Sequence, residues 1–211
     1  MNTPGAAVVG SSVVSFMPQI DRAQRESIML ALLMAELTTA QVYKEGLVTD
    51  WYDYYRRQLK FYGWDALTAQ QVHWPDEQRA RIRDKALQVI GEAAGERHVE
   101  TMRLAYTGLH DAPPTLLQFE RSAIEHGSFR LLPCGPSSDG RIDMVLYHET
   151  LTAQHRTAGF LFRERRDTRV KAELVRFDVR VFDQEYRAKV ARSLAAQQTR
   201  QIHELRLSPS A

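Results

Sequence analysis

Apolar residues recur along this chain with two different periods, and the change falls near residue 127. Before it the spacing is helical. Asp21 with Gln24 has the pattern of a capping box, which predicts a helix over 22–43. The middle of that helix, Ile28 through Ala35, is apolar on every face, which predicts a place at the centre of a bundle. Asp50 as cap and Gly63 as stop predict a second helix over 51–62. Trp51, Tyr55, Leu59 and Tyr62 share one face of it. Pro75 followed by Asp76 and Glu77 reads as the start of a third helix, whose buried stripe is Ile82, Ala86, Val89, Ile90 and Ala93. A fourth is predicted over 96–106. Pro113-Pro114 opens a fifth, which Gly127 closes.

Beyond Gly127 the period becomes two, the mark of strands. Phe129, Leu131 and Pro133 alternate with Arg130 and Leu132. The run from Gly135 to Gly140 has turn composition, and Ile142, Met144 and Leu146 alternate after it. Phe160 and Phe162 are placed in a third strand. In a fourth, Val175, Phe177, Val179 and Val181 alternate with Arg176, Asp178 and Arg180. Asp183 caps a last helix, with Tyr186, Val190 and Leu194 on one face. The expected fold is α+β. A flexible tail over 1–20 precedes a bundle of about five helices over 21–126; an antiparallel meander of about four strands and a C-terminal helix follow over 127–211, integrated with the bundle.

Composition fits a chain that buries a core: 44% hydrophobic and 26% charged in 211 residues. The net charge of +2 is unevenly spread. Residues 1–120 hold 12 Lys+Arg against 15 Asp+Glu, a net of −3, and residues 121–211 hold 16 against 11, a net of +5. That excess is too small and too scattered for a nucleic-acid binder. One cysteine, Cys134, forbids an intramolecular disulfide and suits a reducing, cytoplasmic compartment. No basic leader precedes the first apolar run, so export would have to follow a leaderless route.

Signatures of known chemistry are missing. There is no phosphate-binding loop, no dinucleotide fingerprint, no nucleophile elbow and no zinc-ligand spacing, so neither a cofactor nor a metal is expected. The densest titratable group is His126, His148 and Glu149, which with Cys134 forms the candidate set for a small hydrolytic enzyme. Pairing Cys134 with Arg141 across the hairpin would set His148 seven residues away, about 23 Å along the strand, too far for a local thiol–imidazole dyad.

Three surfaces offer binding instead. Arg163, Arg165, Arg166, Arg169, Arg176 and Arg180 make an arginine-rich sheet face for an acidic partner, as a regulatory adaptor would need. The aromatic helix around Trp51 and Tyr54 suits core packing, or an interface with lipid or sugar. The apolar helix bearing Ile28, Leu32 and Leu33 suits the core, or a partner or membrane once released. The sequence leans away from an enzyme. It leads to a non-catalytic interaction protein of effector or toxin-like kind, acting on a protein partner or a membrane surface.

Overall fold

A computed structural model of the protein describes residues 3–73, 80–151, 159–162, 164–165, 169–197 and 201–207. Its centre is one eight-stranded mixed sheet. The first two strands come from the extreme N-terminus: β1 (Gly5–Val9) and β2 (Ser12–Phe16) form an antiparallel hairpin. Residues 1–20 looked small and polar enough to be a flexible tail, and this is corrected. Ala6, Ala7, Val8, Val9, Val13 and Val14 are small or β-branched, and all are buried. Gly10, at φ +56, makes the tight turn between the strands.

The chain then crosses to five helices: α1 (Arg22–Lys44), α2 (Trp51–Phe61), α3 (Ile82–Ala94), α4 (Glu96–His110) and α5 (Pro113–His126). Short β3 (Trp64–Ala66), β4 (Gln71–His73) and β5 (Ala80–Arg81) fall between α2 and α3. The helix start read at Pro75–Glu77 lies outside the described residues, and α3 begins at Ile82. The remaining elements are β6 (Ser128–Pro136), β7 (Ile142–Thr150), β8 (Glu164–Arg165), β9 (Val170–Phe177), α6 (Val179–Glu185), α7 (Arg187–Ala196) and β10 (Ile202–Leu205).

The sheet runs β10-β1-β2-β6-β7-β9-β3, with β4 also on β9. Its one parallel pair among the described strands is β2 with β6. That pairing explains why no separate bundle forms. The chain leaves β2 after Phe16 and comes back beside it at Ser128, meeting the sheet in between only at β3 and β4 on β9, so the intervening helices pack on its faces. One apolar layer joins Ile28, Leu32, Tyr55, Leu59, Phe182 and Val190 to Val14, Leu132, Met144, Leu146 and Phe177 on the first sheet face. A second joins Val89, Ile90, Met102, Tyr106 and Phe119 to Val8, Val13, Phe129, Leu131, Val145 and Tyr147 on the other. The architecture is helices on both faces of a mixed, mostly antiparallel sheet. It is not a bundle followed by a four-stranded meander.

Two further expectations are corrected. Phe160 and Phe162 lie in a 3-10 turn (Phe160–Phe162), not a strand. The alternation through 175–181 ends as a strand at Phe177, because the Asp178 side chain caps α6 by accepting from the amides of Arg180 and Val181. Val175, Phe177 and Val179 are buried as their pattern suggests, whereas Val181 is 40% exposed on the helix.

Ile28, Leu32 and Leu33 are buried, at 0%, 1% and 3% exposure. Replacing Leu32 with Ala should lower stability by about 2–5 kcal/mol, the cost of an unfilled core site, as read by urea unfolding. A loss under about 1 kcal/mol would mean that the site collapses around the smaller residue.

Candidate functional site

The buried polar residues converge where the β1–β2 turn, the middle of α1 and the start of β6 meet. Glu36 is 1% exposed and Arg130 is 0% exposed. Their side chains form an ion pair at 3.0 Å (Arg130 Nη2 to Glu36 Oε2). Glu36 Oε1 also accepts from the Ser11 backbone N–H at 2.8 Å and from Ser11 Oγ at 2.7 Å. Arg130 Nε donates to Ser12 Oγ at 2.9 Å, and Nη2 donates to Ser11 Oγ. A Cβ at Gly10 would collide with the Glu36 carboxylate, so the glycine lets the turn close over it. The rest of the guanidinium lies over two rings of α2, with Cζ 4.3 Å from the Trp51 centroid and 5.2 Å from that of Tyr55.

Arg130 belongs to a row that crosses the sheet. Ser12 pairs with Arg130, Arg130 with His148, and His148 with Lys171, each on the next strand. Register neighbours share a face, and α2 covers this one with aromatics. The His148 ring stacks on Trp51 at 6.0 Å and lies tilted against Tyr52 at 4.5 Å. Lys171 Nζ lies 4.7 Å from the Tyr52 centroid and 3.4 Å from Asp50 Oδ2. One row further along β9, Glu173 pairs with Arg56 and accepts from Tyr52 Oη at 2.9 Å. Burial pushes the hydroxyls of Tyr52 and Tyr55 up, so both stay neutral, and that of Tyr52 is the donor to Glu173.

Most of the residues proposed from sequence are not brought together. His148 and Glu149 are consecutive on β7 and leave opposite faces of the sheet. Glu149 accepts from Tyr147 Oη at 2.6 Å in the other layer. His126 ends α5, with Nδ1 3.3 Å from Ser11 Oγ and 3.5 Å from Glu36 Oε1. Burial lowers its pKa, outweighing the opposite pull of Glu36, so the imidazole is neutral at pH 7. Ser11, His126 and Glu36 are therefore neighbours, but they do not have triad geometry. One ring nitrogen meets both partners, and the serine hydroxyl already donates its hydrogen bond to the carboxylate rather than to the imidazole.

Cys134 pairs with Met144 across the hairpin rather than with Arg141, a register three residues from the expected one. It lies within the strand, fully buried, and burial pushes its thiol well up. Native protein should resist iodoacetamide from pH 7 to 9 and react fully in urea. Labelling of native protein at the rate of a free thiol would show that β6 opens.

Of the arginines, Arg163 and Arg166 lie outside the described residues, and Arg165 is in β8, off the main sheet. Arg169 and Arg180 are exposed. Arg176 is bound to Asp143 by two hydrogen bonds of 2.6 and 3.1 Å and to Asp139 at 3.3 Å. Among the described residues, Arg176 alone of the six lies on a strand of the main sheet. The described residues hold no cluster suited to a metal ion, and no helix long and apolar enough to cross a membrane.

An open groove of about 970 Å³ runs along the β1–β10 edge of the sheet. Phe16, Met29, Leu30, Leu104, Ile202 and Leu207 supply its apolar lining; Arg25 and Glu204 are among its charges. Arg25 is fixed there, donating to the carbonyls of Ile20 and Thr3 at 2.8 and 2.6 Å.

No family model matches this chain, and no curated protein matches it. Among solved structures it is similar to one described as the structure of the Evf virulence factor. The TM-score is 0.40 at 11% identity, over 92% of this chain and 85% of that one. A likeness of that size is too low to establish a shared fold.

Proposed function

We propose that this is a non-catalytic interaction protein of effector or toxin-like kind, acting through its surface. The observation that carries the reading is the groove on the β1–β10 edge. It is concave, its lining mixes apolar with polar groups, and its charges are balanced by Arg22 and Arg25 against Glu26 and Glu204. Such a surface suits a partner segment that carries both apolar and charged side chains better than it suits a reacting centre. The polar cluster has a different use. Its hydrogen bonds run between α1, the N-terminal turn and β6, fastening three elements distant in sequence.

The test compares two sets of variants in whatever cellular or binding response the wild type gives. Leu30→Asp with Leu207→Asp alters the groove. Ser11→Ala and His126→Ala remove the groups that a hydrolytic reading would need. Loss with the groove pair alone, at wild-type stability, is the expected result. Loss with Ser11→Ala or His126→Ala in folded protein, and not with the groove pair, would overturn the reading in favour of an enzyme.

A further inference from the structure

The aromatic helix α2 divides its rings between two environments. Trp51, Tyr52, Tyr55 and Tyr62 are buried against the sheet, whereas Phe61 is 59% exposed. Phe61 packs with the half-buried ring of Tyr186 at 4.9 Å. Val181, 40% exposed, lies close by, since a Cβ at Gly63 would come within 3.6 Å of its Cγ1. The fold therefore leaves a small apolar patch outside, at the junction of α2, α6 and α7.

The charges around this patch are mostly of one sign. Arg57 and Lys60 flank Phe61 on the outer face of α2, Arg180 precedes Val181, and Lys189 lies one turn after Tyr186. All four are exposed, and none has an ion-pair partner among the described residues. Against them stand the exposed carboxylates Asp65, Asp183 and Glu185, of which Asp183 is held by Arg187 and Ser27. Tyr186 joins an apolar ring to a polar hydroxyl, the form that favours a membrane–water boundary, and Phe61 offers an apolar ring to insert. We infer that the Phe61–Val181–Tyr186 patch docks on an anionic lipid surface, with Arg57, Lys60, Arg180 and Lys189 facing the headgroups. This rests on the reading as an interaction protein and names one class of partner for it. The mode is attachment in the interface, not spanning.

Co-sedimentation with vesicles tests it, using phosphatidylcholine alone and phosphatidylcholine mixed with phosphatidylglycerol. The full chain should bind the anionic vesicles, bind neutral ones far less, and leave the anionic ones as salt rises. Replacing Arg57 and Lys60 together by Gln should weaken partition by about 25-fold, about fivefold for each cation lost. Phe61→Ser should weaken it with no change in the urea midpoint, because the ring is outside the core. Equal binding to neutral vesicles, no binding to either, or binding unaltered by these substitutions overturns the lipid inference. None of those results touches the interaction reading, which stands or falls with the groove variants.

Discussion

Replacing Glu36 with Ala is expected to remove about 3–5 kcal/mol of stability, the usual cost of breaking one side of a buried ion pair. The size follows from what the change leaves behind. Arg130 is fully buried, so without Glu36 its charge would have only hydroxyl partners and two aromatic faces. Two donors of Ser11, its N–H and its hydroxyl, also lose their acceptor. The β1–β2 turn should loosen with them, since Ser11 and Ser12 tie it to α1 and β6. Urea unfolding followed by tryptophan fluorescence reads the loss, and Trp51 beside Arg130 makes that signal local. The double variant Glu36→Leu with Arg130→Met gives the control. Removing both charges together should recover most of the loss, because a well-packed apolar pair can replace a buried ionic one. If Glu36→Ala costs under about 1 kcal/mol, water reaches Arg130 and the cluster is not closed.

How much of this was legible in the sequence depends on the period of each segment. The capping box at Asp21, the cap at Asp50 and the prolines at 113–114 each mark a helix that forms there. These signals are local, and local backbone chemistry decides them. The strand pair at the N-terminus was missed because Ala6–Val9 and Val13–Val14 are too short to show a period, and both of their faces are buried. Nothing local marks a strand that is apolar on both sides, nor one that pairs in parallel with a segment more than a hundred residues away. The polar site could have been seen. Glu36 is the one carboxylate in an otherwise apolar run of α1, and Arg130 interrupts an apolar strand. A charge in such a place needs a buried partner, and these two have each other. In the sequence His126 and His148 stand out as titratable residues near Glu149. The pleat separates His148 from Glu149, and what it places beside His148 are two cations, Arg130 and Lys171.

That placement predicts a large response to acid. His148 is enclosed by Trp51 and Tyr52 above it and by Arg130 and Lys171 on the strands to either side, and its Nδ1 has no hydrogen-bond partner among the described residues. The nearby carboxylates are already engaged: Glu36 with Arg130, Asp50 with Lys171, and Glu173 with Arg56. Burial lowers the His148 pKa well below the ordinary 6.5, with Arg130 and Lys171 adding to the shift. His98 and His126 are lowered as well, each chiefly by burial. The sign follows. Above 6.5 these imidazoles are neutral in both folded and unfolded chains, and they cost nothing. As pH falls through 6.5 the unfolded chain takes up protons that the native site refuses, so stability falls with pH until the native pKa is reached. Each such histidine contributes up to about 1.4 kcal/mol per pH unit in that window. Urea midpoints should therefore drop steeply from pH 7 to pH 5. His148→Gln, which cannot titrate, should flatten that fall while lowering stability at pH 7 through the poorer packing of the amide. When the proton does enter, three cations stand in a row under α2, so the helix should separate from the sheet at Trp51 and Tyr52 before the other layer opens. Acid should then shift Trp51 fluorescence ahead of the loss of helix seen by circular dichroism. A wild-type stability that is flat from pH 7 to 5, or a His148→Gln protein with an unchanged slope, would show that His148 is already hydrated in the native state.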